Sequence, residues 1–358
     1  HSFMSIFTAT NIECKDYTIH FNSWDQLSTS INNDNYSKVI CIVDDNTQSH
    51  CLPILEQKIQ RQLNIIIIKS GEKYKTIDTC TKIWKEMMHL GADRYSVVIT
   101  LGGGVVGDMG GFCAATYMRG MSFIHVPTTL LSQVDSAVGG KLGVDLDGYK
   151  NMIGLILNPD AVYIFPEFIR SLPNRELFSG FAEMIKHALI SDNGLWNEIK
   201  AINPLTHDDW KEDIFKSVYV KYKITEEDPR EQEIRKKLNF GHTVGHAIES
   251  ENLKYEFPLL HGEAIAIGII CECHISHQKG ILSLESLAEV TQVILDLYDR
   301  HPETVAEKEN IISNTRHDKK NKGGVIKCTL LNALGNAIFD QEISKREIKI
   351  ALEYYEGL

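Results

Sequence analysis

The first half of the chain alternates short unbroken apolar runs with amphipathic stretches. Residues 39–43 are continuously apolar and end in the polar turn Asp44-Asp45-Asn46-Thr47. Residues 65–68 form a second such run, closed by Ser70-Gly71-Glu72-Lys73. Residues 76–90 carry helical periodicity, and residues 95–101 read as a third strand leading into Gly102-Gly103-Gly104. Residues 106–116 resume as a helix of small residues, and residues 123–126 are a fourth strand stopped by Pro127. Strands of about five residues separated by helices predict a parallel sheet, and unbroken apolar strands suit one covered on both faces.

Past Pro173 the period changes. Residues 178–190, 210–226, 239–250 and 263–278 each read as helices of three or more turns. The expected organisation is an α/β domain with a parallel sheet over residues 4–172 and a mainly helical domain over residues 173–358. His1-Ser2-Phe3 ahead of Met4 reads as an expression remnant and is set aside. Residues 317–324 read as a basic loop before a hairpin near residues 325–330. No internal repeat or low-complexity tract stands out.

Charge narrows the partners. The chain of 358 residues carries 37 Lys+Arg against 48 Asp+Glu, a net charge of −11. So acidic a surface disfavours nucleic acid and anionic membranes, but local basic clusters still suit a small anionic substrate. Eight cysteines are too sparse for a disulfide scaffold in a chain this long. They read as reduced thiols of a cytoplasmic protein. No apolar stretch reaches the roughly 18 residues of a membrane span.

The strongest local signal is residues 101–111, LGGGVVGDMGG. A strand ends, glycines permit close backbone approach, and a helix begins, so its first N–H groups face a phosphate or dinucleotide. The bland alternative is a tight turn, and the position at the carboxyl end of a strand favours the ligand. Gly139-Gly140-Lys141 and Lys150-Asn151 offer cationic and amide donors for phosphate or carboxylate, or a solvated loop. His242 and His246 stand at i,i+4 on one helix face, a good spacing for one metal ion. His261 and Glu183 are candidates for a third ligand. The run Cys271-Glu-Cys-His274, with His277 beyond, contains soft ligands, but its spacing fits a buried helix with incidental thiols better than a zinc site. Arg235, just before the histidine helix, suits an anionic substrate.

Taken together, GGGVVGDMGGF, RGMSFIHVPTTLLSQVDSAVGGK, KNMIG, AEMIKHA, NFGHTVGHAIE and LHGEAIAIG resemble, in order, the 3-dehydroquinate synthase family. The resemblance implies a Rossmann-like NAD-binding α/β domain, a helical metal-binding domain, catalytic NAD, zinc (or Co2+) and a homodimer. The reaction it implies converts 3-deoxy-D-arabino-heptulosonate 7-phosphate to 3-dehydroquinate and phosphate, in the shikimate pathway. By motif position it implies Glu183, His242 and His261 as metal ligands, which moves His246 to a phosphate contact. Asp135, Lys141, Asn151, Lys186, Lys221, Arg235 and Asn239 match substrate positions. Arg119 matches a residue reaching across a dimer interface, and Lys320, or its neighbour Lys319, matches one further substrate contact. For NAD the matches are Asp45, Glu72, Lys75, Gly103, Gly104, Val105, Asp108, Thr128, Thr129, Lys141, Lys150, Phe168, Ser171, Leu172 and Glu176.

Two positions depart from the family pattern: Leu142 follows Gly139-Gly140-Lys141 where a threonine is usual, and Pro229 follows Asp228 where a glutamate is usual. Three rival readings differ in testable ways. A sister sugar-phosphate cyclase would change the carboxylate-binding set, whereas Arg235 and Asn239 are present. A metal-dependent polyol dehydrogenase would consume NAD and lack Lys141 and Asn151. A non-enzymatic binding protein would have broken metal ligands, and none is broken.

Overall fold

The computed structural model describes residues 10–33, 36–147, 149–316 and 325–358. The expected basic loop, with Lys319 and Lys320, lies outside the described residues. The chain divides into two compact units, His1–Pro173 with Asp209–Tyr222, and Asn174–Asp208 with Lys223–Leu358.

The first unit is built on strands β1 (Asn11–Glu13), β2 (Thr18–Phe21), β3 (Val39–Asp44), β4 (Asn64–Ile68), β5 (Val97–Gly102), β6 (Ser122–Pro127), β7 (Lys141–Leu146), β8 (Tyr149–Ile156) and β9 (Ala161–Ile164). Seven of them form one sheet in the order β1-β2-β9-β6-β5-β3-β4. All its pairings are parallel except β1 with β2. β7 and β8 form a separate antiparallel pair.

Helices α1 (Trp24–Asn33), α2 (Asp45–His50), α3 (Leu52–Lys58), α4 (Ile77–His89) and α5 (Gly104–Thr116) complete this unit's layers. Along β3 the side chains alternate: Val39, Cys41 and Val43 pack with Leu27, Ile31 and Leu55 of α1 and α3. Ile40 and Ile42 pack with Ile83 and Met87 of α4 and with Val106 and Met109 of α5. Both faces are covered, which is why the strand reads as an unbroken apolar run. The third strand begins at Val97, two residues later than the pattern suggests. Asp93 takes the preceding turn by accepting from the Tyr95 amide at 2.9 Å and the Ser96 hydroxyl at 3.1 Å.

The second unit is mainly helical: α6 (Asn174–Ser191), α7 (Asn193–Ile199), part of α8 (Lys211–Glu227), α9 (His242–Asn252), α10 (His261–Gln278), α11 (Leu284–Leu297), α12 (Lys308–Arg316) and α13 (Lys345–Glu356), with the hairpin β10 (Ile326–Ala333) and β11 (Asn336–Ile343). Ala264 to Ser276 of α10 are buried on every face, so this helix is the centre of the unit. The helix expected over residues 239–250 starts at His242, because residues Ile234–Asn239 form a 3-10 turn and Gly241 takes a left-handed φ of 78°. No helix of the described residues is long and apolar enough to cross a membrane.

Candidate active site

The glycine-rich segment of the first unit folds as strand, turn and helix. Gly102 ends β5, Gly103 precedes α5 without any side-chain cap, and Gly104 and Val105 begin it. The first amides of a helix lack intrahelical partners, so this end suits an anion. The Thr128 amide donates to the Gly102 carbonyl at 3.0 Å, which brings the turn after β6 alongside, with Thr129 tied to Ser132. A small pocket is lined there by Gly103, Asp108, His125 and Ser136.

Lys75 is the hub of this region. It is buried, pairs with Asp108 at 2.6 Å and donates to Asn151 Oδ1 at 2.7 Å. Glu72 lies 3.9 Å from Lys75 and 3.8 Å from Lys150. Asn151 holds a left-handed φ of 51° while its amide donates to Asp145 at 2.8 Å, a turn that aims its side chain at Lys75. Burial pushes Asp108 up to about 6 against the pull of Lys75. For Lys75 burial lowers the pKa, and Asp108 and Glu72 outweigh it. Both groups are therefore charged at neutral pH.

Other predicted positions of this unit lie around or apart from that hub. Asp45 accepts from the Ser70 amide at 3.0 Å, and its carboxyl is lowered by the Ser70 hydrogen bonds. Lys221 pairs with Asp135 at 2.8 Å. Lys141 is exposed at the start of β7, and Arg119 is exposed with a left-handed φ of 71°. Phe168 lies in the core, its ring edge-on to Trp24 and Phe165. Ser171 and Leu172 follow in the same turn, and the Ser171 hydroxyl donates to the Phe168 carbonyl at 3.1 Å.

In the second unit three helices bring donor atoms to one point. Glu183 of α6 is fully buried. Its Oε1 lies 3.3 Å from His242 Nε2, at the start of α9, and 3.1 Å from His261 Nε2, at the start of α10. Lys186 pairs with its other oxygen. The His242 Nδ1 donates to the Phe240 carbonyl at 2.9 Å, since a carbonyl only accepts. His261 Nδ1 faces Glu249 at 3.5 Å. A ring that is neutral with its hydrogen on Nδ1 turns its Nε2 lone pair toward the Glu183 oxygen.

Three such atoms call for a positive charge among them, either a proton on an imidazole or a metal ion. Ligands at about 2.0–2.1 Å from a tetrahedral ion stand about 3.3 Å apart, so the spacing and the donor set fit a divalent metal. Electrostatics agree. Burial would lower His261, but Glu183 and Glu249 raise it to about 10, so that ring takes up a positive charge. His242 is lowered by burial and by Lys186. Glu183 would be raised by burial, yet Lys186 and the two histidines hold it well below the usual carboxylate range. His246 is exposed one turn along α9, with its ring 4.9 Å from His242 and 5.6 Å from His261. Nitrogens of His242, His246 and His261 also come within 4.8 Å of one another.

A chain that resembles one enzyme family in motif order also matches it in comparison. A family model described as 3-dehydroquinate synthase N-terminal matches residues 65–179, and one described as 3-dehydroquinate synthase C-terminal matches residues 180–321. The 3-dehydroquinate synthase of Parabacteroides distasonis is 38% identical over 323 residues, covering 89% of this chain and 92% of the relative. The chain belongs to the 3-dehydroquinate synthase family. That of Leptospira interrogans is 37% identical over 332 residues, covering 90% of each. In solved structures the fold is shared with 2-deoxy-scyllo-inosose synthase complexed with carbaglucose-6-phosphate, NAD+ and Co2+ (TM-score 0.82, 23% identity, 96% of this chain and 99% of that one). It is shared too with a 2-epi-5-epi-valiolone synthase from Streptomyces hygroscopicus subsp. jinggangensis with NAD+ and Zn2+ bound (TM-score 0.81, 24% identity, 97% and 98%).

Within this 3-dehydroquinate synthase family member, the remaining predicted residues of the second unit have defined surroundings. Arg235 is buried, its Nη1 donating to the Pro229 carbonyl at 2.8 Å. Asn239 donates to Glu231 at 2.6 Å. Glu176 lies in the first turn of α6, raised by burial. The Cys271–His274 run is a buried helix whose side chains diverge: Cys271 bonds to the Ala351 carbonyl, and His274 stacks on Tyr354.

Some residues at the site went unread. Glu249 had a signal, seven residues after His242 on the same helix face. Arg175 forks onto Glu263 at 2.6 and 2.7 Å and ties the starts of α6 and α10; nothing in the spacing announces that pair.

Proposed function

We propose that this chain is a working 3-dehydroquinate synthase, a carbon–oxygen lyase that converts 3-deoxy-D-arabino-heptulosonate 7-phosphate to 3-dehydroquinate and phosphate. One observation carries the reading: Glu183 Oε1 and the Nε2 atoms of His242 and His261 converge at 3.1 and 3.3 Å in a family member. These three would hold the divalent metal, zinc in the first instance. When bound, the metal supplies a Lewis acid and NAD a hydride acceptor that ends each turnover unchanged.

The chain's own residues do the positioning. In the first unit, the uncapped α5 end at Gly103 and Gly104 suits the pyrophosphate of NAD, with Asp108, Lys75, Glu72 and Lys150 as a charged rim. Lys75 fixes the Asn151 amide by occupying its oxygen, so the nitrogen is the donor end it presents. Lys141 adds a cation suited to phosphate, and Asp135 holds Lys221. In the second unit, Lys186 neutralises the buried Glu183, and His246, exposed beside the two ligand rings, is a proton-carrying phosphate contact. Arg235 offers a planar fork suited to a carboxylate, and Asn239 an amide beside it in sequence. Phosphate release needs no dedicated protein base if the departing phosphate takes the proton itself.

The reading includes a homodimer to which Arg119 contributes, and a cytoplasmic setting. Seven buried free cysteines and one half-buried support the latter. Phosphate release from the heptulosonate phosphate tests the function. It is expected to require NAD, to stop with a metal chelator, and to leave no net NADH absorbance. Steady accumulation of NADH would instead make the chain a dehydrogenase.

A further inference from the structure

The helices that start with His242 and His261 are locked together by a carboxylate that has no place in the reaction above. α9 begins after Gly241, which has no side chain to cap it. Its first amides therefore need partners from elsewhere. Glu272, fully buried on α10, supplies them. One oxygen accepts from the Gly241 amide at 2.6 Å and the other from the Val244 amide at 3.0 Å.

Two features make this a registration device. Burial pushes Glu272 up to about 8 against the pull of the Val244 and Gly241 amides, but both of its oxygens accept from backbone N–H groups, and the dipole of α9 favours negative charge there. The backbones also touch: a Cβ at Gly268 of α10 would lie 2.0 Å from the Gly241 carbonyl oxygen, and one at Gly241 would lie 2.6 Å from Ile269. His242 stands between the two amides that Glu272 holds.

We propose that Glu272 is a positioning residue of the metal centre: by capping α9 from α10, it holds His242 at the separation from His261 that a shared cation requires. The inference rests on the ligand set proposed above. A glutamine cannot replace it, because its amide oxygen would serve one backbone N–H while its NH2 met the other. An aspartate keeps both accepting oxygens but is one methylene short of spanning both amides.

The test compares wild type, E272Q and E272D, with H242A as a control. Three quantities are measured: Co2+ affinity by competition with a chromophoric chelator, the ligand-field absorption of bound Co2+, and melting of the metal-free protein. E272Q is expected to weaken Co2+ binding at least tenfold, the range typical of residues behind metal ligands, and to shift the ligand-field bands. E272D is expected to recover part of both. Wild-type affinity and spectrum in E272Q, whatever its melting temperature, overturn the proposal. Should E272Q fail to fold, the same two readouts on E272D decide, wild-type values again overturning it. Co2+ binding that is indifferent to H242A overturns the ligand set itself, and this inference with it.

Discussion

His261 Nε2 lies 3.1 Å from Glu183 Oε1 across 78 residues of chain. The contact joins the first turn of α10 to the middle of α6, and His242 completes it from α9 at 3.3 Å. The set differs from the one that helical spacing ranks first, the i,i+4 pair His242 and His246, and the two are separable by mutation.

His261→Ala is expected to lose bound zinc and turnover while far-UV circular dichroism and NAD binding persist. His246→Ala should keep zinc and lose turnover. Metal analysis by mass spectrometry of both purified variants decides, and full occupancy in H261A would return His246 to the ligand set.

Lys75→Met removes the cation from a buried pair with Asp108 at 2.6 Å. Leaving one partner of such a pair alone costs roughly 3 kcal/mol. The expected outcome is that loss in denaturant titration together with at least tenfold weaker NAD binding by calorimetry. Zinc content should not change.

Asp108 titrates near 6 in the folded protein, above the ordinary aspartate range. The folded chain thus holds this proton more tightly than the unfolded chain does. The group's contribution to stability is complete below about pH 4 and is lost as pH rises through 6, by roughly 2–3 kcal/mol. Asp108→Asn does not titrate. Its stability relative to wild type should therefore climb between pH 4 and pH 7 and then level off. A flat difference across that range in urea titrations would sink the assignment. In that variant Lys75 keeps Glu72, 3.9 Å away, as its counter-charge.

Gly262 follows His261, and a Cβ there would lie 2.0 Å from the Ser179 carbonyl oxygen. Its amide also donates to the Ser179 hydroxyl at 2.9 Å. Gly262→Ala must push α10 away from α6 and so part His261 from Glu183. Overpacking of this kind costs roughly 1–3 kcal/mol. The melting temperature should fall, and Zn2+ affinity should fall with it. Unchanged Zn2+ affinity would show that the ligands tolerate the shift.

Whatever repeats locally is legible in the order of the residues. Ile65 to Ile68 declare a covered strand because every side chain in the run is apolar, and the stretch from Glu263 declares a helix because its period is near 3.6. The ordered motifs, from the glycine-rich turn to His261-Gly-Glu263, declare the family. The strands β1, β2, β7 and β8 are not legible: they are short or polar-interrupted, and their pairing is what makes them strands; β9, the apolar run Ala161–Ile164, is a fifth strand that the expected pattern leaves out, four residues being too short a run to separate strand from helix. Which donors meet is settled by the packing of the helices. Periodicity says that His242 and His246 share a helix face. It cannot say that Glu183 and His261 arrive from two other helices, that Lys75 reaches Asn151 across 76 residues, or that Glu272 caps a helix from its neighbour. A side chain's direction along its own helix is a local property, whereas the distance between two helices is fixed by packing over the whole core.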